Sequence, residues 1–229
     1  MSLLAQPHGE LAPVSPDCEL YIGGFWGQPV NTVTSLALVF AGVFILMRWA
    51  SRQERGHFTY GVLAVATGVG SFIEHGPSPW WGGIAHDAPL IALLAFVAVD
   101  AASDLRRREL SWAWWVLPSL VVLVVSEVSE PARIAAQTAI SAVAIGLSLW
   151  RSVKRPAARR TILIAALVLG AGALIGTLSR TGMPLCNPES WFQGHGVWHV
   201  LAAIAIWRLT RVIGTRPAQR PSVTPARRT

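Results

Sequence analysis

The sequence predicts an all-α fold, a bundle of seven transmembrane helices, and three observations support this prediction. First, 52% of the residues are apolar and only 14% are charged, whereas soluble domains average about 25% charged residues. Second, seven apolar stretches of nearly membrane-spanning length follow one another along the chain. Third, positive charges follow every other stretch, which is the pattern that the positive-inside rule gives to a multi-pass membrane protein.

The apolar stretches define the predicted helices, because a helix satisfies its own backbone hydrogen bonds in lipid and about 20 residues cross a bilayer. Several stretches approach this length, and two or three are slightly short. The stretches cover roughly residues 31–49, 58–75, 87–104, 112–128, 132–150, 161–179 and 194–213. We therefore predict an extracytoplasmic segment at 1–30, a membrane domain at 31–213 and a disordered basic cytoplasmic tail at 214–229.

The arginines predict how the bundle is oriented. Of the 19 Lys and Arg residues, 17 lie in four clusters that end or follow the first, third, fifth and seventh stretches. Only Arg133 and Arg180 fall on the other side of the membrane. Because cytoplasmic loops carry the positive charge, we expect the N-terminus outside and the C-terminus in the cytoplasm. The ratio of 18 arginines to one lysine is typical of a GC-rich bacterial genome, and it favours an inner-membrane location with the outer helix ends facing the periplasm.

The net charge of +7 does not indicate nucleic-acid binding. The positive charges lie between or after apolar stretches, and the sequence has no basic face interleaved with aromatic side chains, which nucleic-acid-binding domains use. The partner that the composition predicts is the membrane itself, and no protein partner is indicated.

Three histidines predict a metal site at the outer end of the bundle. His195 and His199 lie four residues apart at the start of the last stretch, so that both are on the same face of a helix. His75 ends the second stretch, and the predicted topology carries it to the same side at a similar depth. Three imidazoles with an open fourth position are the ligand set of a catalytic zinc. The alternative is a polar cluster that ties the second and seventh helices together.

Two more polar residues are candidates for catalysis at this end of the bundle. Ser71 lies four residues before His75 on the same helix face, where its hydroxyl would stabilise an oxyanion. Glycines beside it make a small packing residue the alternative interpretation. Asp87 opens the third stretch, where a carboxylate either transfers protons or complements the helix dipole. The neighbouring His86 competes for either role.

Asp100 is an ionisable residue within the third stretch, and such residues are functional suspects in a membrane. It lies about 20 Å deeper than Asp87 at 1.5 Å per residue. This depth is close to the arginines at 106–108. We therefore expect Asp100 to pair with them by snorkelling and to stay outside the site.

Several motifs, taken in order, resemble the alkaline ceramidases, which are seven-helix zinc amidases of a wider superfamily of membrane hydrolases. The resemblance covers about residues 17–210, although the middle helices match only in hydropathy. The motifs are Cys18-Glu19, Asn31-Thr32-Val33-Thr34-Ser35, Gly68-Val69-Gly70-Ser71 with His75, Asp87, and Gly194-His195-Gly196-Val197-Trp198-His199. Their order is specific, whereas no single motif is.

The resemblance implies a zinc site and two catalytic residues. The zinc would be held by His75, His195 and His199. Ser71 would stabilise the oxyanion, and Asp87 would act on the attacking water.

The two cysteines, Cys18 and Cys186, both fall on the predicted outer side, where an oxidising compartment permits a disulfide. Taken alone, they could equally be two unrelated thiols. The resemblance implies that they pair.

Two departures from the family pattern concern calcium and the oxyanion. Eukaryotic members bind calcium through an acidic N-terminal cluster. In this chain Glu19 is the one candidate ligand in register, Asp17 is displaced by one position and Gln28 stands in place of a glutamate, so calcium is not favoured.

Some members also place a tyrosine near the zinc in a middle helix, whereas the tyrosines here are Tyr21 and Tyr60. A second oxyanion donor is therefore not assigned.

These residues together predict the hydrolysis of a lipid amide, a ceramide or a related N-acyl lipid, whose acyl chain arrives sideways from the bilayer. The alternative is a seven-helix lipid receptor or binding protein of the same superfamily with a structural zinc. Such receptors keep the N-terminus and the zinc on the cytoplasmic side, opposite to the side that the arginines predict here. A transporter would require broken helices or internal repeats, and the sequence shows neither.

Overall fold

The computed structural model describes residues 14–52 and 56–215, and this part of the chain is built from seven α-helices without a strand. The helices are α1 Pro29–Arg52, α2 His57–His75, α3 Gly82–Arg106, α4 Ala113–Ser126, α5 Glu130–Lys154, α6 Pro156–Leu178 and α7 Gly194–Leu209. A 3-10 turn at Gly24–Trp26 precedes α1, and an isolated antiparallel bridge joins Val14 to Leu20. The predicted all-α class is confirmed.

Four helices of the described chain are long and apolar enough to cross a membrane, namely α1, α3, α5 and α6. The remaining helices are shorter or less apolar, since α2 has 19 residues, α4 has 14 and α7 has 16. The four long helices indicate a membrane protein. The crossing of all seven helices and the side on which each terminus lies stay predictions. The predicted tail 214–229 falls outside the described residues except for its first two positions.

Six of the helices form a closed ring. Along this ring α1 packs against α2, α2 against α3, α3 against α5, α5 against α6, α6 against α7, and α7 returns to α1. The remaining helix, α4, packs against α3 and α5 and therefore lies outside the ring. In this ring α5 lies opposite α1. Helices that are distant in sequence therefore surround the same space.

Glycines allow α1 and α2 to approach closely. A side-chain carbon at Gly42 would lie 2.5 Å from the backbone nitrogen of Val65, and one at Gly68 would lie 2.6 Å from the nitrogen of Val39. Small residues permit this backbone contact between membrane helices. The close approach brings the polar start of α1 against the C-terminal end of α2.

A buried ionic cluster joins α3 to α5 at the opposite end of the bundle. Arg151 of α5 donates from Nη1 to Asp100 Oδ2 at 2.9 Å and from Nε to Asp104 Oδ2 at 2.7 Å. The prediction that Asp100 pairs with the arginines at 106–108 is wrong, because those side chains are exposed at and after the last residue of α3, whereas Asp100 is buried. The packing of α5 on α3 instead brings Arg151 to the depth of Asp100.

The segment before α1 is held across the end of the bundle at which α2 ends and α7 begins. The predicted disulfide between Cys18 and Cys186 is confirmed, with the two Cα atoms 5.6 Å apart, and it ties this segment to the loop before α7. The backbone nitrogen of Thr181 also donates to Pro16 O at 3.1 Å. These contacts fix residues 14–28 beside the N-terminal turn of α7.

Candidate metal centre

His75, His195 and His199 come together at one end of the bundle. His75 is the last residue of α2, and the other two occupy the first turns of α7. The ring centroids are 4.8 Å apart for His75–His195, 5.2 Å for His75–His199 and 4.6 Å for His195–His199. One nitrogen from each ring lies within 4.8 Å of the others. The prediction that these residues converge is therefore confirmed, and the group could hold a metal ion.

Each of the three rings also has its Nδ1 atom against a side-chain oxygen. The pairs are His75 with Gln28 Oε1 at 3.0 Å, His199 with Thr34 Oγ1 at 3.1 Å, and His195 with Asp17 Oδ1 at 3.4 Å. An acceptor at Nδ1 keeps the proton there and directs the lone pair of Nε2 to the opposite side of the ring. This is how metal-ligating histidines are normally oriented.

Neighbouring hydrogen bonds keep two of these oxygens as acceptors. Asn31 Nδ2 donates to Gln28 Oε1 at 2.9 Å, so this oxygen accepts from Asn31 and also faces His75 Nδ1. Thr34 Oγ1 donates its single proton to Val30 O at 2.7 Å. The threonine oxygen therefore accepts from His199.

The facing Nε2 atoms have the spacing of metal ligands. The Nε2 atoms of His75 and His195 are 3.1 Å apart. Two nitrogens that each lie 2.0–2.1 Å from a tetrahedral zinc are about 3.3 Å apart. When both rings carry their proton on Nδ1, two lone pairs at this separation repel each other, and a shared cation removes the repulsion. The donor set thus fits a metal that accepts imidazole, a class that includes zinc, copper, iron and nickel.

Ser71 lies beside this centre, as predicted. Its Oγ is 3.1 Å from His199 Nε2 and 2.8 Å from Ser35 Oγ, and the residue is fully buried. Ser35 Oγ is also 2.8 Å from Asn31 O, to which it donates. The Ser71 proton is therefore available to Ser35 Oγ, to His199 Nε2 or to an oxygen placed at the histidines. The glycines before Ser71 make the packing contacts, while its hydroxyl faces the centre.

Asp87 is buried near the centre, but its position differs from the predicted helix start. Helix α3 begins at Gly82, so Asp87 lies in the second turn, away from the first-turn amides. Its Oδ1 contacts His86 Nδ1 at 2.7 Å, and its Oδ2 lies 3.9 Å from Arg133 Nη1. The ring of His86 is 6.0 Å from that of His75. The carboxylate therefore adjoins the histidine group through His86.

Glu19, the candidate calcium ligand, caps α1. Its carboxylate oxygens accept from the backbone nitrogens of Val30 at 2.6 Å and Asn31 at 2.9 Å. Burial raises the pKa of the Glu19 carboxyl above its ordinary value, although the two backbone donors oppose this rise. Both oxygens are thus used within the protein.

Four residues that contact the histidine group or Ser71 were not assigned to the centre from the sequence, namely Asp17, Gln28, Thr34 and Ser35. One signal could have revealed three of them. Polar side chains at 28, 31, 34 and 35 follow helical spacing along one face of an otherwise apolar helix start.

The sequence matches no family model and no curated protein. The chemistry of the centre therefore rests on its own residues.

Proposed function

We propose that this protein is a zinc-dependent integral-membrane amidase that hydrolyses ceramide or a related N-acyl lipid to a free fatty acid and an amine. The observation that carries the proposal is the convergence of one nitrogen from each of three imidazoles within 4.8 Å, with the Nδ1 atom of every ring facing a side-chain oxygen. The order of the motifs, which resembles the alkaline ceramidases, supports the lipid amide as substrate. A lipid would reach the centre from the bilayer.

The chain supplies the groups that an amide hydrolysis requires. Zinc bound by the three histidines would supply a Lewis acid and lower the pKa of water to about 7. Asp87 accepts the proton of the attacking water, whose oxygen bonds to the amide carbon. Ser71 Oγ donates to the carbonyl oxygen as it becomes negative, and one such donor contributes about 3 kcal/mol. Asp87 then protonates the departing nitrogen as the carbon–nitrogen bond breaks.

We also propose that the centre faces the periplasm of a bacterial inner membrane. The disulfide at the same end of the bundle supports this orientation, because disulfides persist in oxidising compartments. The arginine clusters at the other end support it through the positive-inside rule.

A second candidate function is a lipid receptor or binding protein with a structural zinc. The position of Asp87 favours it, because this carboxylate contacts His86 and Arg133 rather than the three histidines. A receptor needs the metal for its fold and has no use for a proton carrier.

Two variants distinguish these functions in purified protein. We expect His199→Ala to lose both bound zinc and fatty-acid release from N-acyl lipids. We expect Asp87→Asn to keep zinc while activity falls by about 100-fold or more, because it removes the proton acceptor. Metal analysis and a panel of N-acyl lipids measure both properties. Full activity in a zinc-free variant would refute the zinc mechanism, and zinc-loaded wild type without activity on any lipid of the panel would favour the receptor.

A further inference from the structure

Gln137 of α5 has a side-chain amide nitrogen that is buried and without a hydrogen-bond partner among the described residues. An unpaired buried donor is costly, and such groups are rare in folded proteins. The proposed reaction does not use this residue. The amide therefore needs an explanation of its own.

The amide lies on the face of α5 that meets α3. This face carries a stripe of residues at helical spacing, made of Arg133, Gln137, Ile140, Ala144 and Arg151. Contacts to α3 hold the stripe at both ends, through Arg133 with Asp87 at 3.9 Å and Arg151 with Asp100 at 2.9 Å. Gln137 lies one turn, about 6 Å, deeper than Arg133. It therefore lies one turn beyond the residue that contacts Asp87, on the side of the ring opposite α1.

The outer half of α5 is open to the bilayer. No side chain between residues 130 and 139 is buried, whereas the inner half buries Ile140, Ala144, Arg151 and Ser152. In the outer half of the neighbouring α6, the buried residue is Gly172, and a side-chain carbon there would meet Leu201 and Trp198 of α7 rather than α5. A lipid in the outer leaflet thus has access to the level at which Gln137 lies.

We propose that Gln137 hydrogen-bonds a hydroxyl group on the amine side of the lipid and so selects N-acyl lipids that carry a hydroxyl near the scissile amide. This inference rests on the proposed function. The amide carbonyl of the substrate belongs to Ser71 and the histidines on α2 and α7, so Gln137 meets another part of the molecule. A carboxamide both donates and accepts, which matches a hydroxyl group.

The proposal predicts that Gln137 affects which N-acyl lipid is preferred as well as how tightly the lipid binds. A site with a polar group meant for a substrate hydroxyl discriminates against the analogue that lacks it, because the polar group then stays unpaired. Replacing the glutamine by an apolar residue removes this discrimination.

The test compares two N-acyl lipids with the same acyl chain, one with a hydroxyl beside the amide and one N-acyl alkylamine without it. We expect Gln137→Leu to lower kcat/KM for the hydroxylated lipid by about 10- to 100-fold and to leave the other lipid unchanged or faster. Thr138→Leu is the matched control, because Thr138 is its exposed neighbour. Gln137→Met serves as a second variant if the leucine protein does not fold.

A second measurement is independent of turnover. Each lipid is added to the full-length protein in detergent, and the rise in Tm is compared between wild type and variant. We expect the hydroxylated lipid to stabilise wild type more than the alkylamine does, and Gln137→Leu to abolish the difference.

The outcomes separate this inference from the proposed function. An equal effect of Gln137→Leu on both lipids, or no effect, would overturn the role of Gln137 while leaving the amidase intact. If wild type cleaves neither lipid, the amidase fails and the Tm difference still decides whether Gln137 recognises the hydroxyl. Absence of any difference in Tm in that case would overturn both.

Discussion

At the scale of single residues, the orientation of the histidine rings favours a metal centre over a polar cluster. Each Nδ1 faces a side-chain oxygen, of Gln28, Thr34 or Asp17. The Nε2 atoms of His75 and His195 face each other at 3.1 Å, the spacing of two ligands of one ion. Mutation of such hydrogen-bond partners typically lowers metal affinity or activity by about 10- to 100-fold.

The threonine partner gives a test at this scale. Thr34→Val keeps the side-chain shape and removes the acceptor for His199 Nδ1. We expect zinc affinity to fall by about 10- to 100-fold, measured by competition with a chelator. Thr67→Val is the matched control, because Thr67 is also buried and bonds only to the backbone of its own helix among the contacts described. Equal affinities in the two variants would contradict an orienting role for Thr34.

At the scale of elements, the start of α1 is where the N-terminal segment acts on the site. One carboxylate, Glu19, satisfies two orphan amides of the helix, and the same turn carries Asn31, Thr34 and Ser35 towards the centre. The cap thus fixes the helix start that supports His75 and His199.

The cap can be tested by removing it. We expect Glu19→Ala to lower the free energy of unfolding by about 1–2 kcal/mol, because two buried helix amides lose their acceptor. Glu19→Gln keeps one acceptor oxygen and should recover part of the loss. Denaturant unfolding in detergent micelles measures both variants. A Glu19→Ala protein as stable as wild type would show that the amides find another acceptor.

At the scale of the whole molecule, the two ends of the bundle are stabilised differently. A disulfide and the capped segment hold the end with the histidines. The other end depends on Arg151, which contacts Asp100 and Asp104 and donates from Nη2 to Val212 O at 2.7 Å. This arginine therefore connects α3, α5 and the segment after α7.

Removing Arg151 should destabilise the whole bundle. Arg151→Met removes the guanidinium that pairs with Asp100 and Asp104 inside the bundle, and breaking a buried ion pair in this way costs about 3–5 kcal/mol. Lys154→Met is the control, because Lys154 is exposed less than one turn further along α5. Thermal unfolding in detergent compares the two variants. Adding Asp100→Asn to Arg151→Met should restore part of the stability, and equal Tm values for the two single variants would contradict the role of the cluster.

The sequence was sufficient for features that depend on local spacing. Apolar stretches of near-membrane length predicted the seven helices, and only their ends moved, as when α3 began at Gly82 rather than 87. The Gly-Gly pair at that start lowers the local hydropathy, so the boundary was placed too late. The four-residue spacing of His195 and His199 likewise required two rings on one face.

Helix geometry fixes which residues are neighbours three and four positions apart. Local spacing was therefore enough to predict the helices, the apolar character and the two histidines of one face. The contacts between distant groups come from the packing of the helices, as for Arg151 with Asp100 across 51 residues and Thr34 with His199 across 165. Such contacts depend on how the helices pack in the ring and on how the disulfide holds the N-terminal segment. The spacing of residues along one helix determines neither of these.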